Sequence, residues 1–117
     1  MAFKFENLIV WQKALAFDDD INKLVKSFPK DEIYVLTSQM KRAADSIVLN
    51  IAEGSTGQTN PEFKKFLSYA LRSAIEVVAC LHIAKKTCFI NQDIFQDNYS
   101  KAEEIIKMIQ SLRNSIK

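Results

Sequence analysis

Residues 59–86, TNPEFKKFLSYALRSAIEVVACLHIAKK, decide the fold. Their apolar positions recur at spacings of three and four residues, which is the period of one helical face. This stripe consists of Phe63, Leu67, Ala70, Ala74, Val77, Leu81 and Ala84. Thr59 and Glu62 have the spacing of a capping box, and Asn60 before Pro61 offers an alternative start. The segment therefore predicts a helix of about 25 residues, roughly 37 Å long.

Three further segments have the same helical period. The first, about residues 8–28, has a stripe with one polar interruption: Leu8, Trp11, Leu15, Asp18, Ile21, Val25 and Phe28. The second, about residues 36–53, has the stripe Leu36, Met40, Ala44, Ile47 and Ile51. The last begins after residue 90 and has the stripe Ile94, Ala102, Ile105, Ile109, Leu112 and Ile116.

Local signals separate these segments. Pro29 closes the first helix, because the residue before a proline is pushed out of the α region. Gly54 is predicted as a residue of positive φ just after the second helix, followed by a loop that ends at Gln58. Asn91 is predicted as the cap of the last helix, with Ile90 and Phe95 packed across it as a hydrophobic staple.

The composition supports long helices with short connections. The 117 residues include only 2 Gly and 2 Pro, which disfavours a β-rich fold and a Pro/Gly-rich disordered chain. We therefore predict an all-α fold, an antiparallel up-down-up-down four-helix bundle, as a single domain over residues 1–117. Its expected core comprises Trp11, Leu36, Ile47, Ile51, Phe63, Leu67, Val77, Leu81, Ile105 and Ile109.

Several classes of protein are disfavoured. No uncharged apolar run reaches the roughly 18 residues of a membrane span, and the N-terminus lacks the apolar stretch of a secretion signal. We therefore expect a cytoplasmic protein without a membrane partner. Cys80, Cys88 and His82 are too few for a zinc site, and both thiols are expected to be reduced and buried. We expect no metal and no cofactor.

A polar seam runs beside the apolar stripes of the second and third helices. We predict that its members form a structural hydrogen-bonded network within one subunit, or fix the register between subunits. They are Gln39, Ser46, Asn50, Glu53, Ser73 and Glu76. The two glutamates beside a serine also suggest acid–base chemistry, but the chain has no nucleophile elbow and no phosphate-binding glycine loop. We therefore expect that it is not an enzyme.

Basic residues gather on the second and third helices although the net charge is only +2. The candidate nucleic-acid contacts are Lys41, Arg42, Lys64, Lys65, Arg72 and Lys86. Each copy carries few cations, but phosphate contacts add, so an oligomer that repeats the patch gains affinity. The alternative interpretation is an ordinary solvated helix face.

The third helix is apolar beyond its core stripe. Phe66, Tyr69 and Cys80 flank the stripe on one side, and Leu71, Ile75 and Ile83 are predicted on the other. One bundle cannot bury both flanks, and exposed apolar area of this extent marks an interface. We therefore expect the chain to form a homo-oligomer.

The motifs of the second and third helices resemble those of a known family. QMKRAADSI at residues 39–47 precedes NIAEG at residues 50–54, and Glu62-Phe63, Phe66-Leu67, Ala70, Ser73 and Glu76 follow. Together they are similar to the "four helix bundle protein" family, which includes proteins encoded in intervening sequences of bacterial 23S ribosomal RNA genes. The resemblance extends over about residues 5–112. The chain departs from the family pattern at Arg72, at Gln58, and where Thr87-Cys88 replaces a Leu-Gly turn.

The resemblance implies a homopentameric ring and no enzymatic activity. It also implies similarity to accessory proteins of diversity-generating retroelements, which bind nucleic acid and a reverse transcriptase. The expected function is therefore that of a non-enzymatic oligomer that binds RNA or DNA within a nucleoprotein complex. The alternative is a protein-interaction scaffold without a nucleic-acid role.

Overall fold

The computed structural model describes residues 3–57 and 59–117. Within them no strand occurs, and a short 3-10 turn at Lys4–Asn7 precedes four helices. The helices are α1 (Ile9–Val25), α2 (Ser38–Ser55), α3 (Asn60–Lys86) and α4 (Gln92–Ser115). Consecutive helices run antiparallel, α1 packs on α2, α2 on α3, and α3 on α4, while α1 meets α4 more sparsely. The predicted all-α four-helix bundle is confirmed.

The helix starts follow local sequence signals. The Thr59 hydroxyl accepts a hydrogen bond from the Glu62 backbone N–H at 3.2 Å, so Thr59 and not Asn60 caps α3. The Asn91 side-chain oxygen accepts from the Ile94 backbone N–H at 2.8 Å, which makes it the predicted cap of α4. Gln58, expected in the α2–α3 loop, lies outside the described residues.

The core matches the predicted stripes of α2 and α3, and that of α4 from Ala102 onward, whereas Ile94 is 39% exposed and Phe95 and Asn98 are buried at the start of α4. Nine of the ten residues named for the core are buried, and the tenth, Trp11, is half-buried against it. The Trp11 ring packs edge-on against Phe5, with 4.8 Å between ring centroids. Before α2, a π-helical turn at Ile33–Thr37 leads directly into the helix and carries Leu36 into the core.

The predicted stripe of α1 is wrong in its first half. The buried line is Val10, Ala14, Phe17, Ile21, Val25 and Phe28, and α1 itself ends at Val25. Leu15, assigned to the core, is 46% exposed, and Asp18 lies at the edge of the core. The observed line contains no polar interruption, and Ala14 presents a small side chain where α1 meets the bundle interior.

Gly54 has a different role from the predicted one. It lies inside α2 and is buried, and neither described glycine has a positive φ. A Cβ atom built on Gly54 would lie 2.6 Å from Cβ of Phe66 and 3.1 Å from Cδ1 of Phe63. The glycine is therefore needed for the close approach of α2 and α3, rather than for the conformation of a turn.

Cys88 takes the left-handed conformation after α3. Its φ is +66°, the one positive value for a non-glycine residue in the described chain. The Phe89 N–H donates to the Ala84 carbonyl at 2.9 Å and the Cys88 N–H to the Lys85 carbonyl at 3.1 Å. This pairing is a Schellman cap, which usually has glycine at the left-handed position.

We expect Cys88→Gly to raise the free energy of unfolding by about 0.5–1 kcal/mol. Glycine removes the Cβ strain, partly offset by the greater freedom of the unfolded chain. Because Cys88 is exposed, the change loses little packing. Chemical denaturation measures the change in the free energy of unfolding. Thr87→Gly is the matched control: Thr87 has φ −86°, so glycine relieves no strain there and the variant should be less stable than the wild type. Lower stability of Cys88→Gly would contradict the cap.

α3 is unusually apolar for a helix of this exposure. Among the described helices it alone is long and apolar enough, with an 18-residue window of mean hydropathy 1.4, to meet the length and composition of a membrane span. Only 33% of that window is buried inside the bundle. The helix packs between α2 and α4 as a core element, but one copy of the fold covers only part of its apolar surface.

Polar contacts hold the sparse seam between α1 and α4. Lys13 pairs with Glu104 at 3.1 Å, and Lys101 pairs with Asp20 at 3.1 Å. These side chains surround a cavity of about 190 Å³ over Phe17 and Ile105. Exposed pairs of this kind contribute about 0–1 kcal/mol each, so α1 is held mainly by its packing on α2.

Candidate nucleic-acid interface

Three basic side chains lie along the outside of α3. Lys65, Arg72 and Lys86 are exposed and stand at multiples of seven residues, with Ala79 at the remaining position. Seven residues make almost two helical turns, so the three cations share one side of the helix. They span about 31 Å at 1.5 Å per residue. We call these three residues the basic ridge.

The ridge lies on the most basic helix of the bundle. α3 contains five basic and two acidic residues, whereas α1 and α4 each contain one more acidic than basic residue. None of the ridge residues forms an ion pair with a described side chain; the pairs that do form involve α1 and α4. Lys65 Nζ lies 5.9 Å from the centroid of the Tyr69 ring. The ridge cations therefore remain available for an anionic ligand.

The other three candidate contacts lie off the ridge. Lys64 is half-buried and follows the α4-facing side of α3, about 100° from Lys65. Arg42 is exposed on the outer side of α2, one turn before Ser46, and Lys41 is exposed about 100° away. The structure thus groups Lys65, Arg72 and Lys86, and does not bring the six residues into one patch.

Part of the predicted polar seam is hydrogen-bonded. Ser73 donates to the Ser46 hydroxyl at 2.9 Å across α2 and α3. Asn50 Nδ2 donates to the Ser46 hydroxyl and to the Ser46 carbonyl, each at 2.8 Å. These three side chains are half-buried, so their pairing avoids the cost of unsatisfied polar groups at the helix interface.

Gln39, Glu53 and Glu76 lie outside this network, contrary to the single-subunit prediction. All three are exposed, and none of their side chains hydrogen-bonds to a described residue. Glu53 on α2 and Glu76 on α3 stand farther from the core stripes of their helices than Ser46 and Ser73 do, and at that angle a long side chain reaches solvent. Neither carboxylate hydrogen-bonds to Ser73, whose hydroxyl donates to the Ser46 hydroxyl and to the Tyr69 carbonyl.

A carboxyl pair between α1 and α2 is not among the residues predicted from the sequence. Asp18 of α1 lies beside Asp45 of α2, and Asn22 Nδ2 donates to Asp18 Oδ1 at 3.2 Å. Burial, then the hydrogen bond and charge of Asp45, raise the pKa of Asp18 from 3.8 to about 7, against the opposing effect of Asn22. The polar interruption of the α1 stripe was the available signal.

Asp18 should make the protein less stable as the pH rises from about 4 to about 7. In this window the folded chain keeps the Asp18 proton and the unfolded chain has released it, so proton release favours unfolding. Because the side chain is partly exposed, solvent screening limits the effect to about 1 kcal/mol. Chemical denaturation across this pH range should show a flatter profile for Asp18→Asn and a partly flatter one for Asp45→Asn. An unchanged profile in Asp18→Asn would contradict the assignment.

The two cysteines differ in burial. Cys80 is buried, and burial raises the pKa of its thiol, with a smaller contribution from Glu76. Cys88 is exposed, so the prediction that both thiols are buried is wrong for this residue. Its exposure follows from its position in the α3–α4 turn. Within the described chain, no three His, Cys, Asp or Glu side chains converge as a metal site would require.

Apolar side chains remain exposed around α3, and Leu49 is exposed on α2. Leu49 is 58%, Ile75 53% and Ile83 49% exposed. Of the predicted flanks of α3, Tyr69 is also exposed, Phe66 and Leu71 are half-buried, and Cys80 is buried. The exposed apolar surface is therefore smaller than the sequence predicts, but exposed apolar side chains lie on both sides of the basic ridge.

The fold and this surface define a class of protein: a small four-helix bundle whose third helix bears a basic ridge between exposed apolar residues. The chain belongs to the 23S rRNA-intervening sequence protein family, whose model matches residues 6–111. It is similar to a crystal structure of a protein of unknown function from the S23 ribosomal protein family of Bacteroides thetaiotaomicron. The two share 27% identity with a TM-score of 0.86, over 92% of this chain and 96% of the other.

These comparisons identify a family without an assigned activity. Neither the family description nor that of the solved relative names a reaction. No curated protein matches the chain. The resemblance stated from the motifs of α2 and α3 is thus confirmed at the level of the family.

Proposed function

We propose that the protein is a non-enzymatic homo-oligomer that binds RNA or DNA through the basic ridge of α3. The observation that carries this proposal is the spacing of Lys65, Arg72 and Lys86, which are exposed and form no ion pair with a described side chain along about 31 Å of one helix. A rigid line of cations contacts successive phosphates without ordering a loop, and the gain comes from counterion release.

Oligomerisation supports the same proposal. Three cations give weak binding, but copies in one ring repeat them, and simultaneous contacts to one polyanion raise the overall affinity. Part of the apolar surface of α3 is not covered within one copy, and burial of that surface against a second copy would favour assembly. The number five comes from the family resemblance, as does a reverse transcriptase as a protein partner. We also propose that the protein is cytoplasmic and has no membrane partner. The apolar helix α3 packs between α2 and α4 as a core helix of the bundle, which supports this location.

Filter binding at two salt concentrations tests the nucleic-acid role. We expect RNA or DNA retention at low salt that falls steeply at high salt. Lys65→Glu with Arg72→Glu should weaken binding at least about tenfold, since it reverses two of the three ridge charges. Lys26→Glu with Lys30→Glu is the matched control, because it changes the net charge equally at exposed positions outside α3.

Two results would overturn the nucleic-acid role. One is the absence of retention at low salt, and the other is equal binding by the ridge variant and its control. Either would favour a protein-interaction scaffold, the second function that the exposed apolar residues beside the ridge fit. The genomic neighbourhood is an independent measurement, because a reverse transcriptase gene or a ribosomal RNA gene next to this one would name the partner.

A further inference from the structure

The uncovered apolar surface of α3 continues into a groove against α4. Ile75 and Val78 of α3 and Tyr99 and Ile106 of α4 line a cavity of about 280 Å³. Glu103 and Lys107 form its charged rim one turn apart on α4, beside Gln110, and both charges are exposed. Neither forms an ion pair with a described side chain. We call this surface the α3–α4 groove.

A second exposed surface of the chain has matching features. Arg42, Asp45 and Leu49 stand at spacings of three and four residues on the outer side of α2. All three are exposed, and neither charge forms an ion pair with a described side chain, although Asp45 also hydrogen-bonds to Asp18 of α1. Leu49 projects as a single large apolar side chain. We call these three residues the outer face of α2.

The heights of these surfaces along the bundle can be compared through α3. The hydrogen bond between Ser46 and Ser73 places these two residues at the same height along the bundle axis. Ile75 of α3 and Ile106 of α4 line the same cavity, so these two residues also lie at about the same height along the bundle axis. Because α3 runs antiparallel to α4, Ser73 is level with Met108, and so is Ser46. The bond from Arg113 Nε to the Ser68 hydroxyl at 2.8 Å gives the same alignment.

Opposite charges then lie at equal heights. To within about one residue, or 1.5 Å, Asp45 is level with Lys107 and Arg42 is level with Glu103. Leu49 is level with Gln110, at the end of the groove. α2 and α4 also run in the same direction in one subunit, since each is antiparallel to α3. A rotation about an axis parallel to the bundle keeps both the direction and the height of every helix.

We propose that the outer face of α2 of one copy docks into the α3–α4 groove of a second copy, with Leu49 in the groove, Asp45 against Lys107 and Arg42 against Glu103. This inference rests on the homo-oligomer proposed above and names the two surfaces that join. The contact is head-to-tail, because two different surfaces meet, and repetition of such a contact closes a ring when the rotation allows it.

The carboxyl pair of a single subunit supports this docking. Asp18 and Asp45 lie together between α1 and α2, and Asp45 forms no ion pair with a described cation. Lys107 of the second copy supplies the missing positive charge at this position. Charge complementarity of this kind orients the docking copy and discriminates against a shifted register.

Charge reversal with rescue tests the docking. Light scattering at micromolar concentration gives the mass of the wild type, Asp45→Lys, Lys107→Asp and the double variant. We expect each single variant to shift toward the monomer mass of 13.4 kDa and the double variant to recover the wild-type mass. The Leu49→Asp variant should also shift toward the monomer mass. Circular dichroism checks that every variant retains its helices.

Glu53→Lys is the matched control. Glu53 is exposed on α2 one turn beyond Leu49, at the height of Ser115 on α4 and so beyond the end of the groove at Gln110, and its reversal should leave the mass unchanged. A monomeric wild type would overturn the homo-oligomer itself. An oligomer that survives Asp45→Lys and Leu49→Asp, or a double variant that stays dissociated, would overturn this docking alone. Dissociation by Glu53→Lys with the Asp45→Lys oligomer intact would overturn this docking and place the contact at the C-terminal end of α2.

Discussion

Leu67→Ala is expected to lower the free energy of unfolding by about 2–5 kcal/mol. Leu67 is fully buried on the central stripe of α3, where α2 and α4 both pack. Truncation removes apolar contacts and leaves a cavity that rigid helices fill only partly. Since a domain has a total stability of about 5–15 kcal/mol, the loss is a large fraction of the whole. Chemical denaturation followed by circular dichroism measures it.

Leu15→Ala is the matched control for this experiment. The chemical change is the same, but Leu15 is 46% exposed on α1, so we expect a loss below about 1.5 kcal/mol. The pair also tests the register of α1, because the spacing of its apolar residues alone assigns Leu15 to the core. Equal losses in the two variants would contradict the observed register.

Gly54→Ala is expected to lower the free energy of unfolding by about 2–3 kcal/mol. The added Cβ would lie 2.6 Å from Cβ of Phe66, an atom fixed to the α3 backbone, so the two helices must separate. Separation loosens the most extensive helix pair of the bundle. Alanine favours an isolated helix over glycine by about 1 kcal/mol, so the helical propensity acts in the opposite direction. Thermal unfolding decides which effect is larger.

Glu53→Ala provides the control on the same turn of α2. Its exposed side chain makes no hydrogen bond to a described residue, so a change within about 0.5 kcal/mol is expected. If Gly54→Ala matched or exceeded the wild type in stability, the close approach of α2 and α3 would not require glycine.

The sequence predicts the bundle because its strongest signals are local. The stripes of α2, α3 and α4 have one register each, and Thr59 and Asn91 cap their own helices within three residues. In α1 two registers compete, and the apolar spacing alone favours the one with the larger side chains. The chosen register depends on what the neighbouring helices leave room for, which is a tertiary property. Gly54 is ambiguous for the same reason, since a turn and a close contact both require glycine.

The candidate site is predictable only in part. The spacing of Lys65, Arg72 and Lys86 is a property of one helix and can be calculated from the sequence. Whether a charge is paired depends on other helices, so the exposure of Glu53 and the meeting of Asp18 with Asp45 are not predictable from α2 or α1 alone. The matching heights of α2 and α4 likewise need both interhelical alignments.

The way in which the helices pack has a consequence for folding kinetics. The most extensive contacts join helices adjacent in sequence, and among the described helices the sparse α1–α4 seam joins the first to the last. Closing short loops costs little entropy, and bundles dominated by local contacts fold within microseconds to milliseconds. The α2–α3 hairpin is therefore expected to form the folding nucleus, with α1 docking late. Substitutions in α1 then change mainly the rate of unfolding, and those between α2 and α3 the rate of folding.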